Sequence, residues 1–238
     1  MSELAFVTFK WQPEPGYRST FGPAAVNTLA RMIARHYRAP HRFVCITDDA
    51  EGIDDEVEVF ELWDEWARVP NPSNRRNPSC YRRLRMFASD VPDWLGPEFV
   101  CIDLDVVITG EITGLFCGLG NFKAWGDSNP RNRYNGSMWY HRAGTLPHVY
   151  EGFDPFRSPM TTRQQGYYGS DQAWLCHALG PGYPIWGIED GCYSFRNHIM
   201  TSQRRTLPEG AKVVFFHGRV DPWSPEARNL AWVREHYR

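Results

Sequence analysis

Between positions 99 and 108 the chain reads Phe-Val-Cys-Ile-Asp-Leu-Asp-Val-Val-Ile, an apolar, β-branched run carrying two carboxylates two residues apart. Such a run reads as a buried strand. Ionised carboxylates there are costly unless a cation or hydrogen-bond donors compensate them. In extended backbone, residues i and i+2 share a side. Asp103 and Asp105 are therefore expected to converge on one ion, while Leu104 turns back into the core. Hard oxygen ligands suit magnesium or manganese, ions that usually carry phosphates.

The segments ahead of this run alternate between strand and helix signals. Residues 4–9 read as a strand and are followed by a loop with Pro13, Pro15 and Gly16. Pro23 suits a first helical turn, and Val26, Leu29, Ala30, Ile33 and Tyr37 follow at helical spacing. Residues 42–47 and 57–62 give two more strands, and Ser79 can cap a helix reaching about Ser89. This alternation predicts an α/β fold with a mostly parallel central sheet flanked by helices. In such sheets ligands bind beyond the carboxyl ends of the strands, and the aspartate pair lies toward the end of its strand.

The second half is less regular. Residues 122–125 and 136–141 read as short strands, and 170–179 as a helix. Residues 212–217 read as a late strand, with a terminal helix from Ser224-Pro225. Residues 147–169, rich in Pro, Gly and aromatics, read as a long irregular loop, either an acceptor loop or lid or a plain surface excursion.

The totals narrow the class. The chain has 238 residues, enough for one sizeable core, and residues 1–238 are expected to form one domain. With 42% hydrophobic and 23% charged residues, wholesale disorder is excluded. A net charge of −2 argues against broad nonspecific binding to nucleic acid or anionic membrane. No basic segment followed by an apolar one opens the chain, and no apolar run is long enough to span a bilayer. The six cysteines are scattered without a Cys-x-x-Cys pair, so a cytoplasmic setting without disulfides or a zinc site is expected.

Several ordered motifs add to the aspartate pair: Val7-Thr8, Tyr81-Arg82-Arg83-Leu84, Asp103-Leu104-Asp105, Asn135-Gly136-Ser137, Gly169-Ser170-Asp171-Gln172, and Phe216-His217-Gly218 ahead of Pro222-Trp223. In this set the chain resembles GT-A-type glycosyltransferases, above all the glycogenin-like group (glycosyltransferase family 8) and small bacterial and phage relatives. The resemblance spans residues 6–223. It implies a Rossmann-like GT-A domain that moves a sugar from a nucleotide-sugar donor, UDP-linked, to an acceptor, with retention at the anomeric carbon. It also implies manganese or magnesium held by Asp103, Asp105 and His217.

The resemblance assigns further roles. Thr8, Lys10, Arg83, Asn135 and Gly218, with the Asp103-Leu104-Asp105 segment, would bind the donor. Asp127, Asp171 and Gln172 would sit at the sugar and its reacting carbon. Helical spacing from Ser79 makes Cys80, Leu84 and Phe87 the buried stripe, with Arg83 at its edge, reaching a cleft, and Arg82 and Arg85 solvated. An arginine fork suits phosphate oxygens. Asp48, after the second strand, can touch base or ribose, or simply serve its turn.

Two departures stand out. The metal-binding histidine of the group falls two residues earlier, where this chain has Phe215; alternation puts Phe215 and His217 on one strand face, so the role can shift by two. The group usually carries a lysine before the final Pro-Trp, where this chain has Asp221, and Arg219 is a candidate replacement. Alternative readings are a nucleotide-sugar hydrolase or nucleotidyltransferase, or a non-catalytic nucleotide-sugar or glycan-binding module. The acceptor stays open among glycan, protein, small molecule and modified nucleobase or DNA. For the last, Arg75, Arg76, Arg131, Arg133, Arg204 and Arg205 could form a patch, or be scattered in solvent.

Overall fold

The computed structural model describes residues 3–12, 21–74, 79–126, 129–202 and 205–238. It opens with strand β1 (Leu4–Lys10), helix α1 (Pro23–His36) and strands β2 (His41–Thr47) and β3 (Glu58–Glu61). Helix α2 (Val91–Trp94) leads into β4 (Glu98–Ile102), β5 (Val106–Ile108), β6 (Phe122–Trp125) and β7 (Asn135–Arg142). Helices α3 (His148–Glu151), α4 (Ser158–Gln164) and α5 (Asp171–Leu179) follow. Strands β8 (Ile185–Trp186), β9 (Cys192–Ser194) and β10 (Val213–Phe215) and helices α6 (Pro225–Arg228) and α7 (Ala231–His236) complete the described chain.

Seven strands form the central sheet in the order β3-β2-β1-β4-β7-β6-β8. All neighbours are parallel except those of β7, which runs antiparallel to β4 and β6. A second sheet of three strands, β5-β10-β9, pairs β10 antiparallel to β5 and parallel to β9. The two faces of the central sheet carry two apolar clusters. Along β1, Leu4 and Phe6 join the cluster of α1, the second sheet and α7, while Ala5, Val7 and Phe9 join the cluster of α3 and α5. Alternation along a strand buried on both faces produces this split. In α1, Pro23 stands in the first turn, and Val26, Leu29 and Ile33 are fully buried at spacings of three and four. Among the described residues no helix is long and apolar enough to cross a membrane.

Four expectations need correction. The run 99–108 is not one strand: it breaks after Ile102 and resumes at Val106 in the other sheet, with Asp103-Leu104-Asp105 at the crossing. Two half-buried carboxylates two residues apart are poorly served by one closed ladder; the break gives each its own surroundings. The segment expected as a helix from Ser79 is a 3-10 helix over Tyr81–Phe87. The long loop 147–169 contains α3 and α4, whose short lengths and interspersed Pro and Gly hide the helical period. The expected terminal helix is also divided, between α6 and α7.

One buried ring gives the fold an acid limit. His141 on β7 is wholly buried, 4.6 Å from the ring of Phe87 and 5.6 Å from that of Phe99. Burial pushes its pKa down from 6.5 to about 3. The unfolded chain therefore binds more protons below pH 6.5, so stability present above that value is lost as pH falls toward 3. At pH 5 the loss from this group is about 2 kcal/mol. Urea denaturation at pH 7.5 and pH 5 is expected to show the gap between the two shrinking by about that amount in His141→Phe. An unchanged gap would mean the ring is not held neutral.

Candidate functional site

The chain lays β1, β2 and β3 to one side and then crosses to place β4 on the other side of β1. Ligand crevices in α/β sheets form at such a reversal, beyond the carboxyl ends of the strands. Here the adjacent strand ends are Lys10 on β1 and Ile102 on β4, and Asp103 is the first residue past β4. The amino end of antiparallel β7 is brought against it, and Asp103 N donates to Ser137 O at 2.9 Å.

Arg83 crosses into this position from the 3-10 helix. At three residues per turn, positions i and i+3 lie in one row. Tyr81, Leu84 and Phe87 form one buried row, and Cys80, Arg83 and Met86 a second, with Arg83 only 5% exposed. Arg82 and Arg85 fall on the third, outward row. They are not simply solvated: Arg82 pairs with Asp64 at 3.1 Å and Arg85 with Asp90 at 2.5 Å. The guanidinium of Arg83 spans two carboxylates. Nε and Nη2 donate to Asp171 Oδ2 at 2.8 and 2.5 Å, and Nη1 to Asp103 Oδ1 at 2.5 Å. Asp171, 4% exposed, opens α5, and the preceding Ser170 Oγ accepts from Cys80 N at 2.9 Å. Gly136 leaves room for the pair: a Cβ there would overlap Arg83 Nη2 and stand 3.3 Å from Asp171 Oδ2.

Burial works against the Arg83 charge, but Asp171 and Asp103 outweigh it and hold its pKa above the ordinary range. Burial also pushes the Asp103 carboxyl upward, against the pull of Arg83 and a hydrogen bond from Ser137. The Asp103 side chain, 32% exposed, is the member of this group that solvent or a ligand reaches.

The second sheet carries the other expected ligands. Antiparallel pairing of β10 with β5 sets Phe216 N 2.8 Å from Asp105 O, so His217, two residues past the end of β10 rather than on the expected strand, lies beside the aspartate crossing. His217 Nε2 is 2.7 Å from Ser194 Oγ, and the ring packs edge-on to Trp125 at 5.3 Å. Burial pushes its pKa down from 6.5 to about 4, helped by Arg196 and His198, so the imidazole is neutral at neutral pH. Gly218 follows at φ +124°. Asp105 lies nearer the C-terminal helix, where the Tyr237 phenol, raised by burial, also feels Asp105 and Asp221. Leu104, 2% exposed, lies in the core as expected.

The remaining expected residues are scattered around this centre. Asn135 is buried at the start of β7, its Oδ1 accepting from Ser137 N at 2.8 Å. Gln172 holds the turn before α5, donating to Tyr168 O at 3.0 Å and accepting from Gly136 N at 3.4 Å. Thr8 is fully buried on β1, and its hydroxyl makes no hydrogen bond among the described residues. Lys10, 1% exposed, is committed to the turn after β2, with Nζ 2.5 Å from Asp49 O and 3.4 Å from Asp49 Oδ2. Asp48 is exposed and accepts from Gln12 N at 3.4 Å. Asp221 is buried and Arg219 exposed. Asp127 lies outside the described residues, as do Arg75, Arg76 and Arg204. Sequence reading missed Ser194, the partner of His217; 23 residues separate the two, and no local pattern links them.

The donor set fits a hard divalent cation in part. Asp103 and Asp105 offer carboxylate oxygens at the end of β4, and such ions commonly take the rest of their shell from phosphate and water. Among the described residues no three His, Cys, Asp or Glu gather into a group able to hold a metal, so Asp103, Asp105 and His217 do not form such a cluster here. The physical reason is the strand break: Asp103 faces Arg83, while Asp105 stands with the second sheet.

No protein-family model matches this chain, nor does any curated protein sequence. Solved structures do. The galactosyltransferase LgtC, crystallised with donor and acceptor sugar analogues, superposes with a TM-score of 0.66 at 13% identity, over 97% of this chain and 93% of that one. Its active-site mutant Q189E gives 0.66 at 12% identity. The glycosyltransferase GlyE of Streptococcus pneumoniae TIGR4 gives 0.58 at 12% identity, over 98% of this chain and 63% of that one. At such identities the likeness is one of fold, the GT-A Rossmann-like architecture.

The buried triad makes two stability measurements informative. Arg83→Met leaves two carboxylates without their shared cation and is expected to cost about 3–5 kcal/mol in urea denaturation. Gly136→Ala forces the guanidinium aside and is expected to cost about 1–3 kcal/mol. Near-parent stability in both would show that the arginine lies elsewhere.

Proposed function

We propose that this chain is a glycosyltransferase that moves a sugar from a nucleotide-sugar donor, UDP-linked, to an acceptor hydroxyl. The observation that carries this reading is the convergence of Arg83, Asp103 and Asp171 at the sheet's switch point, on a fold shared with glycosyltransferases. Fold likeness alone gives only a class; the arginine between two carboxylates, one of them in an Asp-x-Asp crossing, gives the class a site.

Asp103 and Asp105, with His217 as a third ligand, would hold a manganese or magnesium ion only by drawing together around it, since the three form no metal-holding group here. Bound there, it would offset negative charge on the departing nucleotide diphosphate. If His217 Nε2 donates to Ser194 Oγ, Nδ1 keeps the lone pair a metal needs, and Ser194 orients the ring. Arg83, held by Asp171 and Asp103, keeps two N–H donors that would meet donor oxygens. Asp171 and Gln172, at the start of α5, with Asn135 opposite, would hydrogen-bond sugar hydroxyls and steady positive charge at the anomeric carbon. Thr8 and Lys10 at the end of β1 border the place where base and ribose would lie. Transfer with retention is the stereochemistry that the glycogenin-like resemblance implies.

Thermal unfolding against UDP-sugars with and without manganese tests this reading. Stabilisation is expected only with both, by about 2.7 kcal/mol at a hundredfold excess over Kd, or roughly 5–10 °C. Asp105→Ala is expected to abolish it. A variant that UDP stabilises as well as the parent would remove the metal role, and a parent that releases no UDP in the presence of acceptors would remove the transferase.

A further inference from the structure

Beyond the end of β9 stands a cation for which the proposed reaction has no role. β9 and β10 run parallel with Ser194 beside Phe215. Past that pair the two chains continue side by side: Phe195 stacks on Phe216 at 4.1 Å, and Ser194 Oγ reaches His217. Residues Phe195–Ile199 form a single turn of π-helix, begun by Ser194 Oγ accepting from Asn197 N at 3.0 Å. Such turns are rare and are found disproportionately at functional sites. This one sets Arg196 over the backbone of Gly218. A Cβ at position 218 would stand 3.5 Å from Arg196 Cδ and 3.6 Å from Nη1.

The charge balance of the site calls for a further cation. Arg83 is already shared between Asp171 and Asp103. A nucleoside diphosphate adds two or more negative charges, and at a partly buried site these need positive partners. In the turn after Gly218, Asp221 is buried and adds a negative charge of its own. Arg196 is exposed, its Nε donates to the neighbouring Asn197 Oδ1 at 3.3 Å, and it makes no ion pair among the described residues. Its planar fork matches phosphate oxygens, and the bare backbone of Gly218, at a φ that suits glycine, lets it lie close.

We infer that Arg196 binds the diphosphate of the nucleotide donor, from its position over Gly218. This rests on the nucleotide-sugar reading above and adds a binding residue to it.

Calorimetric titration with UDP and UMP, in the presence of manganese, separates the possibilities. Arg196→Ala is expected to weaken UDP binding about tenfold, one charge-assisted contact, and UMP binding less than twofold. Arg196→Lys should recover part of the loss, and Arg219→Ala should bind as the parent does. The melting temperature of Arg196→Ala without ligand should match the parent, because the side chain is exposed. Parent-like UDP affinity in Arg196→Ala, an equal loss for UDP and UMP, or the loss appearing in Arg219→Ala instead would each overturn the assignment. A parent that binds none of UDP, GDP, ADP or CDP would instead overturn the nucleotide-sugar reading on which it stands.

Discussion

The guanidinium of Arg83 lies between Asp171 and Asp103, and much of the surrounding geometry serves that arrangement. A buried cation with two carboxylates is tolerated only when its hydrogen bonds are made and its geometry is tight. The 3-10 winding puts Arg83 on an inward row. Gly136 leaves the space its Nη2 occupies, and Ser170, holding Cys80 N, ties the start of α5 to the start of the 3-10 helix. Each of these belongs to a different part of the chain, so the triad joins four elements as much as it prepares a site.

The site sits on a seam. The central sheet ends at Ile102, the second sheet begins at Val106, and the acidic crossing lies between. Asp103 continues the face of Phe99 and Cys101 toward Arg83, whereas Asp105 belongs to the β5–β10 ladder beside Phe216 and the C-terminal helix. A cation shared by both carboxylates would therefore span the two sheets.

Much of this was legible in the residues. Buried alternating strands at the start, Pro23 and the apolar spacing of α1, and the mixed acidic-apolar run are local patterns, and local patterns survive in sequence. Arg83 was found for a reason that proved only partly right. A 3.6-residue period sets it at the edge of a stripe, whereas the three-residue period buries it outright. Residues 147–169 hid α3 and α4 because short helices carry too few turns to show a period.

The sequence by itself determined the kind of fold, since strand and helix periods and a buried acidic run leave few ways to cover a sheet on both faces. It also supplied the motif residues at the ends of the strands. Only the tertiary structure decided which of them meet. Ser194 with His217, Arg196 over Gly218 and Arg83 with Asp171 are pairings between segments 22 to 88 residues apart. Contacts of that range are set by the order of strands in two sheets and by which face each helix buries, and no spacing along the chain encodes them.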